Sequence, residues 1–195
     1  MKKTLQQKNK ACPQCLKHSF CRRGFTLVET LVAISIFTMS ILALLSVLSQ
    51  GISNTHYAKT KMTGLYLAQE GIEYIRNMRD TFVLYSERTG NDWTKFRAKL
   101  ASCNLGNECG IDNGALSTDP SFIFKCSSGA SGCKLYLNNG NYNATTGNES
   151  GFVRKIWAEV IDPDKEIKIF SSVSWNQGSG AYNITLSENL FNWVE

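Results

Sequence analysis

The sequence predicts an α+β fold: a long N-terminal α-helix, transmembrane in its first half and amphipathic in its second, packed on a C-terminal antiparallel β-sheet. Three observations predict it. Residues Phe25 to Leu48 form an apolar run of 24 residues with one charge. Residues 65–80 keep the three-and-four spacing of a helical face, and from Ser121 onward short runs rich in aromatic and β-branched residues alternate with turn signals. A chain of 195 residues has room for one core-bearing domain plus an appendage.

Residues 1–24 read as a basic leader on the cytosolic side. Of the 21 lysines and arginines, seven lie here (Lys2, Lys3, Lys8, Lys10, Lys17, Arg22, Arg23), with no acidic residue among them. The other 14 face all 16 acidic residues from Phe25 onward, a net charge of −2. The overall charge of +5 therefore describes the leader and not a basic body that would seek nucleic acid, and no nucleic-acid partner is expected. A basic segment abutting an apolar run places that segment in the cytosol and the chain beyond about residue 50 outside.

The apolar run FTLVETLVAISIFTMSILALLSVL at 25–48 measures about 36 Å as a helix, enough to span a bilayer once. A secretory signal has a shorter apolar core with its small-residue cleavage site after it. Here the small residue, Gly24, comes first, so a cut at that point leaves the hydrophobic helix on the mature chain. Beyond Gln50, Leu65, Ala68, Ile72, Ile75 and Arg79 share one helical face, with Leu67 and Tyr74 broadening it. The helix is expected to continue to about Asp80, making 49–80 an amphipathic extension. Gly51 and Gly64 are its expected weak points.

Residues 81–195 are expected to form an extracytoplasmic head. A short helix is suggested at TKFRAKLAS from Thr94, within a connector rich in Gly, Asn and Cys. The runs FIFK, CKLYL, FVRKIWAEV, EIKIFSSVSW and AYNITLSENLF read as strands of a three- or four-stranded meander. IDPDK at 161–165 and NQGSG at 176–180 join successive runs as hairpin turns.

Residues 22–34 read RRGFTLVETLVAI: a basic leader, a glycine, an aromatic residue, a glutamate four residues further on and an uninterrupted apolar helix. In this order they resemble the type IV pilin and type II secretion pseudopilin family. LYLAQEGIEYIRNMRD at 65–80 and the closing NITLSENLFNW are similar to later parts of minor pilins. The resemblance implies cleavage by a prepilin peptidase between Gly24 and Phe25, N-methylation of Phe25, and a role for Glu29 in assembly or peptidase recognition. It further implies assembly with other pilin or pseudopilin subunits into a filament, from a single-pass anchor in the cytoplasmic membrane. One departure is Ser46, where many members of that family carry proline, which leaves open whether the helix melts locally on assembly. A pilus-associated binding module, as adhesin or DNA-uptake subunit, and an uncleaved single-pass membrane protein are the alternatives.

Cysteines divide along the same topology. Cys103, Cys109, Cys126 and Cys133 lie outside, where an even number favours disulfides; three connectivities are open, and closeness in sequence favours Cys103 with Cys109 and Cys126 with Cys133. Cys12, Cys15, His18 and Cys21 carry zinc-like spacings but lie in a reduced, discarded leader, and no metal or cofactor is expected. The acidic pair in IDPDKE lacks the ligand count of a calcium loop and reads as a turn. Asn143, Asn148 and Asn183 open glycosylation sequons in an Asn-rich chain, where chance accounts for them. The outer part holds one histidine, His56, and no phosphate loop, dinucleotide fingerprint or histidine-based nucleophile constellation, so no enzymatic activity is expected.

Overall fold

The computed structural model describes residues 24–85, 92–112, 122–126 and 130–192. The chain forms two compact units, 1–50 and 51–195. Helix α1 (Leu27–Tyr85) runs five residues past the expected end at Asp80, because Thr81, Phe82 and Val83 carry no breaker and are half-buried.

In the first unit the start of α1 is built by local chemistry. Thr26 is its N-cap: its Oγ1 accepts the N–H of Glu29 at 3.2 Å, leaving Glu29 at the third helical position of a T-x-x-E capping sequence. Further on, the hydroxyls of Thr30, Ser35, Thr38 and Ser40 each donate to a carbonyl three or four residues earlier, at 2.8 to 2.9 Å. These four hydroxyls thereby satisfy their donors without a partner outside the helix, as hydrocarbon surroundings require.

In the second unit, from Gly51, the rest of α1 and helix α2 (Asp92–Leu100) cover one face of a seven-stranded sheet. The strands are β1 (Cys109–Ile111), β2 (Ile123–Lys125), β3 (Lys134–Asn138), β4 (Asn141–Asn143), β5 (Asn148–Asp162), β6 (Glu166–Gln177) and β7 (Gly180–Phe191). All pairings are antiparallel. The backbone of the sheet is the meander β5–β6–β7, whose strands pair over almost their full lengths. The other edge of β5 is shared: β3 pairs with it at Lys134↔Val153 and β1 at Cys109↔Ile156, with β4 and β2 outermost. The meander matches the sequence expectation, but among the described residues seven strands replace the three or four anticipated. Strands β1 and β4 have three residues each, too short to display a two-residue alternation, and exist because neighbouring strands pair with them.

Alternation decides which face is covered. In β6, Ile167, Ile169, Ser171, Val173 and Trp175 are buried, while Lys168, Phe170, Ser172 and Ser174 point to the other side and are half-buried. The helical stripe that meets this face contains Leu67, Ala68, Ile72, Ile75 and Met78, all under a tenth exposed. Leu65, expected in the stripe, is only half-buried, and Met78 takes a core place that the expected face had omitted.

Two glycines let the helix sit this close. A Cβ on Gly71 would lie 2.5 Å from Ser171 Oγ and 3.2 Å from Arg154 Cδ; one on Gly64 would lie 2.9 Å from the Trp175 ring. Gly64 is thus no weak point but a close approach, with Trp175 occupying the volume a side chain would take.

Candidate functional site

The residues singled out by the motif come together at the start of α1. Among the described residues, nothing lies within 4 Å of a Cβ built on Gly24. Its neighbour Phe25 is 78% exposed, so no described part of the chain covers this side of the motif. Glu29 follows within the first helical turn, its backbone N–H held by Thr26 and its side chain exposed. An acidic side chain in a first turn also complements the helix dipole. From Phe25 to Leu48 the large apolar side chains are exposed, Leu27 at 79% and Leu44 at 71%. This stretch of α1 is long and apolar enough to cross a membrane.

What the arrangement can do follows from those properties. An accessible backbone beside a residue without a side chain lets another protein's active site close on the peptide. A bare apolar helix demands a low-dielectric surrounding, lipid or other helices. A single carboxylate within it is costly there until a cation neutralises it.

The other residues anticipated from sequence lie in the second unit, away from this motif along the chain. The structure pairs Cys103 with Cys109 and Cys126 with Cys133, six and seven residues apart. Cys103, Cys109 and Cys133 are buried. The first bridge fastens the segment after α2 to β1, and the Cys103 carbonyl accepts the Ala158 N–H of β5 at 2.8 Å. His56 meets Gln177 Nε2 through Nδ1 at 2.8 Å. In the β5–β6 turn, Asp162 Oδ1 accepts the Asp164 N–H at 2.9 Å, so this carboxylate closes the turn. Asn143 Oδ1 accepts the Thr145 and Thr146 N–H groups at 3.0 and 2.7 Å, whereas Asn148 and Asn183 are exposed. Cys12, Cys15, His18 and Cys21 lie outside the described residues.

Sequence reasoning missed the polar cluster that secures the helix to the sheet. Arg154, 2% exposed, donates to Glu70 Oε2 at 2.8 Å and lies over the Tyr74 ring at 5.5 Å, while the Tyr74 hydroxyl donates to Glu70 Oε1 at 2.9 Å. Desolvation pulls the Arg154 guanidinium below the usual arginine range, and the Glu70 carboxylate opposes that pull. Nearer the end of α1, Arg76 forks onto both oxygens of Glu188 at 2.7 and 2.5 Å, and this hydrogen bonding raises its pKa. One arginine on an otherwise apolar strand face was the available signal: in FVRKIWAEV, Arg154 occupies an inward position between Phe152 and Ile156.

Residues 20–46 match the family model for the prokaryotic N-terminal methylation motif, the signal of type IV prepilins. No curated protein and no solved structure matches the chain.

Proposed function

We propose that this chain, carrying the type IV prepilin signal, is the precursor of a structural subunit of a type IV pilus or a type II secretion pseudopilus. The observation that carries the reading is the methylation motif at residues 20–46 placed on an exposed apolar helix with an open Gly24–Phe25 peptide. In this reading a prepilin peptidase cuts after Gly24 and Phe25 becomes the N-methylated N-terminus. The basic leader holds the cut site at the cytosolic face, residues 25–48 anchor the chain once in the cytoplasmic membrane, and the head lies outside. Assembly then moves the helix from lipid into the core of a filament of like subunits.

Glu29 takes its role from the cut. Cleavage creates a positive α-amine on Phe25, which methylation leaves basic, and in a low-dielectric filament core that amine and the Glu29 carboxylate of an adjacent subunit neutralise each other. Such pairing would also set the axial stagger between subunits.

Intact-mass measurement of the protein purified from membranes tests the processing step. The expected product begins at N-methylated Phe25, and a Gly24→Phe variant is expected to remain as full-length precursor in the membrane. Normal-sized mature protein from the Gly24→Phe variant rules out this cut site.

A further inference from the structure

The β6–β7 hairpin brings a second set of side chains to the beginning of the second unit. Its turn is a tight two-residue loop, Gly178–Ser179, closed by Gln177↔Gly180, with Gly178 at φ +60 as the first central residue of such a turn demands. At the foot of the hairpin, Gln177 bonds His56, and Tyr182 packs on Tyr57 with ring centroids 5.2 Å apart. Tyr182 also stacks on Trp175, and Lys61 lies over the Tyr57 ring at 5.9 Å.

The two segments that build this foot carry charge of one sign, and on the adjoining strands Glu149 is held by Lys134 at 2.7 Å. Residues 51–69 contain Lys59 and Lys61 and no acidic residue, and residues 171–186 of the hairpin contain no charged residue at all. Both lysines are exposed, and Tyr182 is 38% exposed. Along the chain His56 follows Leu48, the end of the apolar run, by eight positions.

We infer that this foot of the head, centred on Tyr57, Tyr182, Lys59 and Lys61, docks on the anionic phospholipid headgroups of the membrane that holds residues 25–48. Tyrosine rings with one apolar and one wet end settle at headgroup depth. Lysines close to an anionic surface are attracted to its phosphates, and residues 51–69 and 171–186 carry no carboxylate of their own to oppose them. Continuity with the membrane-spanning stretch commits the occupant: a lipid surface is delivered to the foot by the chain itself. The docking orients the head before assembly and must be released as the helix leaves the bilayer. It rests on the single-pass anchoring proposed above.

Hydrogen–deuterium exchange of the full chain in lipid nanodiscs tests it, comparing discs of phosphatidylcholine alone with discs of equal parts phosphatidylcholine and phosphatidylglycerol. Amides of residues 176–183 are expected to exchange about tenfold more slowly in the anionic discs, with residues 167–173 of the buried strand unchanged. The Lys59→Glu, Lys61→Glu double variant, altered only at exposed positions, is expected to lose the difference, as is the wild type at high salt. Equal exchange in both lipids by a chain retained in the discs overturns the docking and leaves the anchoring intact. Persistence of the difference in the double variant also overturns it. A chain not retained in the discs overturns the anchoring and the docking together.

Discussion

Single residues carry more than one demand here, and their substitutions separate those demands. Glu29 is both the third residue of a capped helix start and the only charge between Phe25 and Leu48. Glu29→Gln keeps a side chain that suits the capping sequence but removes the charge, whereas Glu29→Ala removes both. If charge pairing with the Phe25 amine governs assembly, both variants are inserted and cleaved while neither enters sheared filament fractions in cells carrying the partner subunits. Wild-type incorporation of Glu29→Gln would show that helix capping, not charge, is what the position supplies.

Beneath the helix, Ser171 Oγ is buried and has no hydrogen-bond partner among the described residues. Ser171→Ala is therefore expected to be neutral or slightly stabilising, since it removes a desolvated hydroxyl that returns nothing. Gly71→Ala forces a Cβ into the space 2.5 Å from that same oxygen and is expected to cost on the order of 1 to 3 kcal/mol. Adding Ser171→Ala to Gly71→Ala should recover part of the loss, because the two positions share one gap. Glu70→Ala strands the buried Arg154 guanidinium; the expected cost is about 2 kcal/mol, below the range of a fully buried pair because Glu70 is a third exposed. Urea midpoints in detergent, followed by far-ultraviolet circular dichroism, measure all four.

At the scale of elements, the sheet divides into a part held by long pairing and a part held by short strands and covalent staples. Strands β5, β6 and β7 have 12 to 15 residues each and nearly continuous registers. By contrast, β1, β2 and β4 have three residues each, and the two disulfides lie beside them. Closing loops of this size lowers the entropy of the unfolded chain by an amount worth roughly 2 kcal/mol per bridge. Replacing Cys103 and Cys109 together by alanine should accordingly cost about 2 kcal/mol and raise amide exchange in 101–111 while leaving β6 and β7 unchanged. Uniform loosening of all seven strands would mean the bridge supports the whole sheet and not its edge. The pairing of neighbouring cysteines was open in the sequence, where closeness favoured one of three connectivities. Folding decides it by bringing Cys103 and Cys109 to a Cα separation of 5.4 Å, and Cys126 and Cys133 to 5.2 Å.

For the whole molecule, the proposed processing would change the sign of the net charge. The intact chain has a net charge of +5 and a sequence pI near 8.8, and the seven basic residues of the leader account for the excess. Removal of residues 1–24 leaves −2, so isoelectric focusing should resolve a basic precursor from a mature form on the acidic side of neutrality, and N-methylation should not move it further. A membrane-extracted mature form that still focuses near the precursor would mean the leader stays attached. The motif, the membrane-length apolar helix and this charge division were all legible in the sequence, because each depends on residues adjacent along the chain: a basic run, a glycine, an aromatic, a glutamate and an apolar stretch. The α+β class was legible for the same reason, from the helical spacing of 65–80 and the alternation in 152–191. Only the tertiary structure decided that Gly64 and Gly71 are contact points under Trp175 and Ser171, that Arg154 turns inward to Glu70, and that three-residue segments at 109–111 and 141–143 become strands. Those outcomes depend on partners 84 to 111 residues away, or on neighbours too few to show a period. Local pattern specifies which face of an element is apolar, but the volume, charge and backbone groups it meets on that face are set by what the rest of the chain brings there.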